Sequence, residues 1–198
     1  MKTFELKGSL RKDIGKKSTR ELRKQGMVPC VIYGSEKDEN GNVTATHFQV
    51  SVPSLRKLIY TPNIYAVALD IDGKTCNAVM KEVQYHPVQE QILHIDFLKI
   101  DEENPIVMEV PVVLEGLAPG VQAGGKLHQQ MRKLKVKAVY TAIPERLVIN
   151  ISTLGLGKSI KVGDLNYEGL ELVSPKQAVV CAVKTTRAAI ANAAETAE

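Results

Sequence analysis

A charged segment followed at once by an apolar one organises this chain: RKDIGKKSTRELRKQG at residues 11–26, then MVPCVIY at residues 27–33. Residues 1–24 contain nine Lys or Arg and three Asp or Glu, a balance of +6, whereas the whole chain carries only +4. The positive charge is therefore concentrated at one end of the sequence. Concentrated positive charge is typical of a surface that binds a polyanion.

The charged segment predicts a short helix that begins at Thr19 and ends before Gly26. Ser18 followed three residues later by Glu21 is typical of a capping box, in which each side chain bonds the other residue's backbone N–H. Glycine reaches the left-handed conformation that often ends a helix. Three cations share the side of this helix opposite Leu22: Arg20, Arg23 and Lys24. A merely solvated basic face is an equally good interpretation of the helix alone.

The composition is typical of a soluble globular protein with one or two domains. The chain has 198 residues, of which 44% are hydrophobic and 24% charged. No run approaches the ~20 apolar residues of a membrane helix, and the N-terminus lacks the apolar block of a signal peptide. We therefore expect a cytoplasmic protein without a membrane partner.

The cysteines and histidines predict no metal site and no cofactor. They are widely spaced, without a Cys-x-x-Cys or His-x-x-x-His pattern: Cys30, Cys76, Cys181, His47, His86, His94 and His128. We expect reduced, mostly buried thiols. A hydrolase that combines His94 and Asp96 with Cys30 or Ser18 as nucleophile is a less favoured alternative, because no nucleophile motif accompanies these residues.

Alternating apolar residues predict a series of strands in the first hundred residues. The turn Asp72-Gly73 is typical of a hairpin, and Ser51 with Pro53 predicts a short helix. The predicted strands are 4–10, 28–33, 46–50, 64–71, 74–85 and 92–100.

Two of these strands are expected to present polar side chains on the face opposite the core. If strand 28–33 buries Val28, Cys30 and Ile32, then Tyr33 lies on the other face with Pro29 and Val31. In strand 92–100 the alternation places Leu93, Ile95 and Phe97 on one face, and His94 with Asp96 on the other. Such a polar face is able to form a binding surface.

A charged break at residues 101–105 marks the predicted domain boundary. We expect a first domain at residues 1–99 and a β-rich second domain at residues 100–185. The Ala-rich residues 186–198 are predicted to be a frayed helix or disordered. Residues 116–125 are rich in glycine but lack the Gly-x-x-x-x-Gly-Lys-Ser/Thr pattern of a phosphate-binding loop, so we expect a structural turn.

A series of ordered motifs extends along the chain: Gly15-Lys16, Thr19-Arg20, Leu22-Arg23, Gly26-x-x-Pro29-x-Val31-Ile32-Tyr33-Gly34, Val83-Gln84-x-His86-Pro87 and His94-Ile95-Asp96-Phe97. In these motifs the chain resembles the bacterial large-subunit ribosomal proteins that bind 5S ribosomal RNA. The resemblance is to their longer two-domain form, known as the general stress protein CTC family, and it extends to about Lys184. Members of that family commonly have Ser at the position of Thr19, and often a basic residue at that of Glu21.

The resemblance implies a mostly β protein with short helices: a six-stranded β-barrel followed by a β-rich C-terminal domain. It implies a structural protein of the cytoplasmic ribosome, not an enzyme, that binds the loop E region of 5S ribosomal RNA. Its other partners would be 23S ribosomal RNA and neighbouring ribosomal proteins. A stress-responsive RNA-binding factor that meets ribosomes transiently is the alternative.

The resemblance also implies roles for individual residues. Those that would meet phosphates and sugars are Arg11, Lys16, Thr19, Arg20 and Arg23. Those that would supply hydrogen bonds on the same surface are Tyr33, Gln84, His94 and Asp96. A carboxylate facing RNA repels phosphate, so we hypothesise that Asp96 accepts protons from bases or hydroxyls, or orients His94.

Overall fold

The chain divides into two compact units in a computed structural model that describes residues 2–37, 43–101 and 104–186. The first unit is Met1–Ile106 with Val139–Thr141, and the second is Val107–Ala138 with Ala142–Glu198. Apart from Thr186, the predicted Ala-rich tail lies outside the described residues. Within those residues, none of the helices has the length and apolar character needed to cross a membrane.

Six strands of the first unit close into a barrel in the order β1-β3-β2-β6-β5-β4. Their bounds are β1 Lys2–Leu10, β2 Met27–Lys37, β3 Val43–Ser51, β4 Tyr65–Ile71, β5 Lys74–Tyr85 and β6 Ile92–Lys99. Parallel pairing of β1 with β4, from Lys2 opposite Tyr65 to Gly8 opposite Ile71, completes the closure. This architecture confirms the predicted six-stranded β-barrel.

The turn between β4 and β5 has the backbone that its sequence predicts. Asp72 and Gly73 both have positive φ, at 48° and 86°, as a two-residue hairpin turn requires. The N–H of Gly73 donates to Oδ1 of Asp70 at 3.0 Å, and Oδ2 of Asp72 accepts the N–H of Leu10 at 3.0 Å. The turn is therefore also tied to the end of β1.

The barrel interior is one apolar cluster built from alternate residues of its strands. Phe48 and Phe97 are fully buried there, with their ring centroids 5.7 Å apart. A pair of rings at this spacing contributes about 0.5–1.5 kcal/mol beyond the area it buries. Gly8 allows the close approach of β1, because a Cβ at this position would lie 2.8 Å from Cδ2 of Phe48.

Two helices accompany the barrel: α1, Lys16–Lys24, and α2, Val52–Ile59. Helix α1 packs against β2 and buries Leu22, as its sequence predicts. Helix α2 begins where Ser51 and Pro53 predict a start, and its Leu55 and Leu58 join the barrel core. Both helices thus bury their leucines.

The predicted capping box in α1 is wrong. The helix begins at Lys16, with Gly15 at its N-cap and no side-chain cap. The hydroxyl of Thr19 donates to the carbonyl of Gly15 at 2.7 Å, and that of Ser18 donates to the carbonyl of Asp13 at 3.3 Å. Both hydroxyls thus bond to carbonyls that precede them instead of capping the helix. The first residue of the helix is Lys16, three residues before the predicted start at Thr19. Its predicted end is right, since Gly26 has φ +75° immediately after the C-cap.

The prediction of which residues face the core is partly wrong in β6 and β2. Ile92 lies in the core with Ile95 and Phe97, whereas Leu93 is only half-buried. The register between β5 and β6 shifts between Gln84 and Tyr85, so that Leu93 has no partner and the alternation is interrupted. In β2, Pro29 is buried, although the sequence placed it on the outer face.

The second unit is β-rich, as expected. Two sheets form in the orders β10-β7-β9-β12 and β11-β13-β8. The strands are β7 Ile106–Glu115, β8 Lys126–Gln129, β9 Lys133–Ala138, β10 Leu147–Asn150, β11 Ser159–Lys161, β12 Glu171–Leu172 and β13 Val179–Lys184. The glycine-rich stretch is a turn that contains the short helix α3, Pro119–Gln122. Gly120 packs so closely that a Cβ would lie 2.6 Å from the backbone of Gly155.

Candidate nucleic-acid interface

Four residues predicted to bind RNA lie on the outer face of three adjacent strands, β2, β6 and β5. Residues aligned across a strand pair share a face, and the register aligns Val31 with Asp96 and Gln84 with His94. Tyr33 lies two residues beyond Val31 on β2 and therefore on the same face. We call the set Tyr33, Gln84, His94 and Asp96 the polar face.

His94 and Asp96 form a direct pair within the polar face. Nδ1 of His94 lies 2.7 Å from Oδ1 of Asp96, and the two side chains are 27% and 25% exposed. Oδ1 is itself inaccessible to solvent and accepts no well-aligned hydrogen bond from a described residue, so its contact with His94 is a close approach of the two atoms. Two unprotonated acceptors would repel at this distance, so the contact favours a proton on Nδ1, which leaves Nε2 available to a ligand. The pair agrees with the hypothesis that Asp96 orients His94.

Two further polar residues share this face and were missed from the sequence. Glu82 of β5 aligns with Asp96, and His47 of β3 aligns with Val31. The register of β5 shifts between Met80 and Glu82, which reverses the alternation before Gln84. A bulge of this kind leaves no clear trace in the sequence pattern, so only the strand pairing identifies these neighbours.

The Tyr33 hydroxyl remains a hydrogen-bond donor over the physiological pH range. Partial burial raises the pKa of Tyr33, and the carboxylates of Asp96 and Glu82 raise it further. Both carboxylates therefore act on the phenol across the outer surface of the sheet. A neutral phenol beside carboxylates offers one donor and one acceptor to a ligand.

Arg23 ties the basic helix to the edge of the polar face. Its Nε and Nη2 donate to the carbonyl of Leu93 at 3.1 and 2.8 Å. Leu93 is the residue left without a partner by the register shift in β6. Since His94 follows Leu93 directly, the contact holds α1 close to the polar face.

Arg11 and Thr19 stabilise the loop that leads into α1. Nη2 of Arg11 donates to Oγ1 of Thr19 and to the carbonyl of Asp13, both at 3.1 Å. Thr19 in turn donates to Gly15. Arg11, Thr19 and Arg23 were predicted to meet RNA, and the structure gives each of them an additional role inside the protein.

The remaining predicted cations, Lys16 and Arg20, are exposed on α1. Neither side chain makes a hydrogen bond or an ion pair with a described residue. Two more cations, Lys12 and Lys17, were missed as site residues, and they line a surface concavity of about 530 Å³ beside the start of α1. Asp13 and Glu21 line the same concavity, so its charge is mixed.

Comparison with known proteins assigns the family. Residues 6–97 match the ribosomal L25p family, and residues 105–187 match the C-terminal domain of ribosomal protein TL5. The chain belongs to the ribosomal L25p family. It is 64% identical over 194 residues to the large ribosomal subunit protein bL25 of Phocaeicola vulgatus and 58% identical over 200 residues to that of Bacteroides thetaiotaomicron. Each alignment covers 98% of both chains, which confirms the resemblance seen in the motifs.

The Cys30 thiol of this L25p-family chain is a poor nucleophile. Cys30 is fully buried, and burial together with the Asp96 carboxylate raises its pKa to about 12, although Arg11 acts in the opposite direction. A neutral, inaccessible thiol cannot attack a substrate. Ser18, the other candidate nucleophile, donates its hydroxyl to a backbone carbonyl. The His94–Asp96 pair therefore acquires no nucleophile from either residue.

Proposed function

We propose that this chain is a structural, non-enzymatic component of the large subunit of the cytoplasmic ribosome. Its first domain, residues 1–99, binds 5S ribosomal RNA at the loop E region. The observation that carries the proposal is a polar face held beside a basic helix by the Arg23–Leu93 contact. The name of the relatives, large ribosomal subunit protein bL25, supports the ribosomal part of the proposal.

The chemistry of the two surfaces suits structured RNA. Regular A-form RNA hides its base edges in a deep groove, so proteins use phosphates, 2′-hydroxyls and distorted grooves. Lys16 and Arg20 supply attraction to phosphates, while Tyr33 and Gln84 supply donors and acceptors that test the shape of the groove. Because its Oδ1 faces His94, Asp96 directs one oxygen away from the RNA.

The internal contacts of Arg11 and Arg23 are compatible with a second contact to RNA. A guanidinium carries five N–H donors, and the described bonds use the Nη2 group of Arg11 and the Nε and Nη2 groups of Arg23. The Nη1 group of each remains for a phosphate. Thr19 completes the predicted set of phosphate and sugar contacts. The second domain, residues 100–185, contacts 23S ribosomal RNA or neighbouring ribosomal proteins in this proposal.

A binding experiment with a charge-matched control tests the RNA part. We expect the full chain to bind 5S ribosomal RNA at least tenfold more tightly than an unrelated RNA duplex of equal length. Arg20→Glu weakens binding to 5S ribosomal RNA, whereas Arg146→Glu, the same change at an exposed residue of the second unit, does not. Equal affinity for both RNAs would contradict the proposal, and equal effects of the two variants would remove Arg20 from the interface.

A sedimentation experiment tests the ribosomal part. A structural component remains with the large subunit in a gradient at high salt, where weak electrostatic contacts are screened. A stress-responsive factor that meets ribosomes transiently dissociates under the same conditions. Recovery of the chain only in the unbound fractions would favour that alternative.

A further inference from the structure

The first unit exposes three large hydrophobic or aromatic residues around the start of β4 and the end of β5. Tyr60, Tyr85 and Val88 are 63%, 44% and 83% exposed. Tyr60 is the C-cap of α2, and Tyr85 is the last residue of β5, directly after Gln84 of the polar face. Exposed aromatic side chains that cluster together mark interaction sites more often than isolated ones do.

The topology brings Tyr60 and Tyr85 to the same end of the barrel. Strands β4 and β5 pair antiparallel, with Ala66 opposite Val79, so the residues that precede β4 lie beside the end of β5. Burial raises the pKa of Tyr85, and the hydroxyl of Tyr60 adds to that increase, which agrees with two neighbouring phenols. We call Tyr60 and Tyr85 the tyrosine pair.

A rigid turn supports the tyrosine pair on the β5 side. Nδ1 of His86 accepts the N–H groups of Val88 and Gln89 at 3.3 and 3.1 Å. The N–H of His86 donates to the carbonyl of Gln91 at 2.8 Å, and the N–H of Glu90 donates to the carbonyl of His86 at 3.0 Å. Tyr85 is therefore attached to a backbone that is already ordered, which lowers the entropy cost of using it for binding.

Two cations stand beside the tyrosine pair on the α2 side. The N–H of Tyr60 donates to the carbonyl of Arg56 at 3.1 Å, so Arg56 and Lys57 lie one helical turn before Tyr60. Both are exposed, and neither bonds to another described side chain. Aromatic rings flanked by unpaired cations are typical of surfaces that stack nucleic-acid bases and attract their phosphates.

We propose that the tyrosine pair is a stacking platform for an unstacked base of the bound RNA, with Arg56 and Lys57 holding the phosphates of that nucleotide. The proposal rests on the proposed RNA-binding function and extends its surface past Gln84 along β5. RNA is favoured over a protein occupant because the platform is flanked by two exposed positive charges, Arg56 and Lys57, that bond to no other described side chain. The chemical class recognised is a single-stranded or bulged nucleotide, since a base within a duplex has no free face.

Affinity for 5S ribosomal RNA tests the platform with paired variants. Tyr60→Ala/Tyr85→Ala is expected to weaken binding about tenfold or more, because each lost base stack is a substantial part of such an interface. Tyr60→Phe/Tyr85→Phe keeps both rings and is expected to bind within about twofold of the original chain. Leu117→Ala, at an exposed apolar residue of the second unit, is expected to change nothing. Equal affinity of the alanine double variant and the original chain would overturn the proposal.

A spectroscopic readout separates this proposal from the proposed function. The chain is labelled with 3-fluorotyrosine, and its fluorine signals are assigned with single Tyr→Phe variants. The labelled chain is then titrated with a short oligoadenylate and, separately, with 5S ribosomal RNA. We expect both RNAs to shift the fluorine signals of Tyr60 and Tyr85. Shifts with oligoadenylate but no preference for 5S ribosomal RNA would overturn the proposed function alone. Specific binding of 5S ribosomal RNA without shifts at the tyrosine pair would overturn the platform alone.

Discussion

Asp96 illustrates how a carboxylate is accommodated on the proposed RNA-binding surface. Its Oδ1 lies 2.7 Å from Nδ1 of His94 and is inaccessible to solvent. The carboxylate charge thus faces the His94 ring, whose other nitrogen is available in the proposed interface. A carboxylate beside Nδ1 favours the tautomer and the ring orientation in which that nitrogen carries the proton.

Loss of the Asp96 side chain should therefore reduce RNA affinity through His94. We expect Asp96→Ala to weaken binding to 5S ribosomal RNA about tenfold, as it would if the released His94 ring adopted the binding-competent orientation about a tenth of the time. Asp96→Asn keeps an oxygen beside Nδ1, so this variant should lose less RNA affinity than Asp96→Ala. Kd measurements are combined with nitrogen NMR of the His94 ring, whose tautomer should become mixed in Asp96→Ala. An unchanged tautomer in that variant would contradict the orienting role.

The buried thiol of Cys30 makes stability depend on pH in the alkaline range. The folded pKa is raised from 9.0 to about 12, so the unfolded chain releases this proton at lower pH than the folded chain. The contribution of the protonated Cys30 thiol to the free energy of unfolding is complete below pH 9.0 and is lost as the pH rises toward about 12. We expect the urea midpoint to fall less steeply between these values in Cys30→Ala than in the original chain. Identical slopes would show that the thiol does not contribute.

At the scale of the elements, the attachment of α1 to β6 joins the two halves of the candidate interface. A register shift in the β5–β6 pair leaves Leu93 unpaired, and Arg23 bonds to its carbonyl. The bulge thus serves two purposes, since it moves Leu93 out of the core and supplies an acceptor for the helix. Arg23 belongs to the fold as well as to the proposed interface.

Arg23 and Arg20 should consequently respond differently to substitution. Arg23→Ala is expected to lower the free energy of unfolding by about 1 kcal/mol and to weaken RNA binding, because the helix loses its attachment. Arg20→Glu is expected to weaken RNA binding while stability stays within about 0.5 kcal/mol, since Arg20 has no described partner. Urea unfolding and RNA titrations on both variants provide the comparison. A stability loss in Arg20→Glu equal to that in Arg23→Ala would contradict this division of roles.

At the scale of the whole molecule, the charge distribution predicts the salt dependence of binding. The first 24 residues carry +6 in a chain with a net charge of +4, so attraction to RNA is local. If about five phosphates are neutralised, affinity should fall by about two powers of ten for a fourfold rise in salt. Titrations at several salt concentrations give the slope, and Arg20→Glu should make it shallower. An affinity independent of salt would exclude a phosphate-based interface.

Much of the architecture was predictable because it depends on local patterns. The Asp72-Gly73 turn, the start of α2 and the end of α1 at Gly26 follow from backbone preferences of individual residues. The barrel itself was predicted from the family resemblance rather than from strand patterns, since alternation does not specify strand order. The domain boundaries at residues 99 and 185 stay predictions.

Local sequence signals failed where side chains had more than one possible partner and where two strands had to align. The hydroxyls of Ser18 and Thr19 bond to loop carbonyls instead of forming the predicted cap. Two register shifts in β5 and β6 changed which residues face the core, and they added Glu82 to the polar face. Such shifts depend on how two strands align, and the alternation within one strand contains no record of its partner.

Composition and local pattern were sufficient for the concentrated positive charge, the turns, the β-rich character and the family of this chain, because each depends on residue types within a short window or on ordered motifs. Three-dimensional packing was required to pair His94 with Asp96, to engage Arg23 with Leu93 and to bring Tyr60 beside the end of β5. Tyr60 and Tyr85 are far apart in sequence, as are Arg23 and Leu93, and the packing of the helices against the barrel, together with the strand register, brings each pair together. For that reason the interface depends on the closed barrel and not on any single segment.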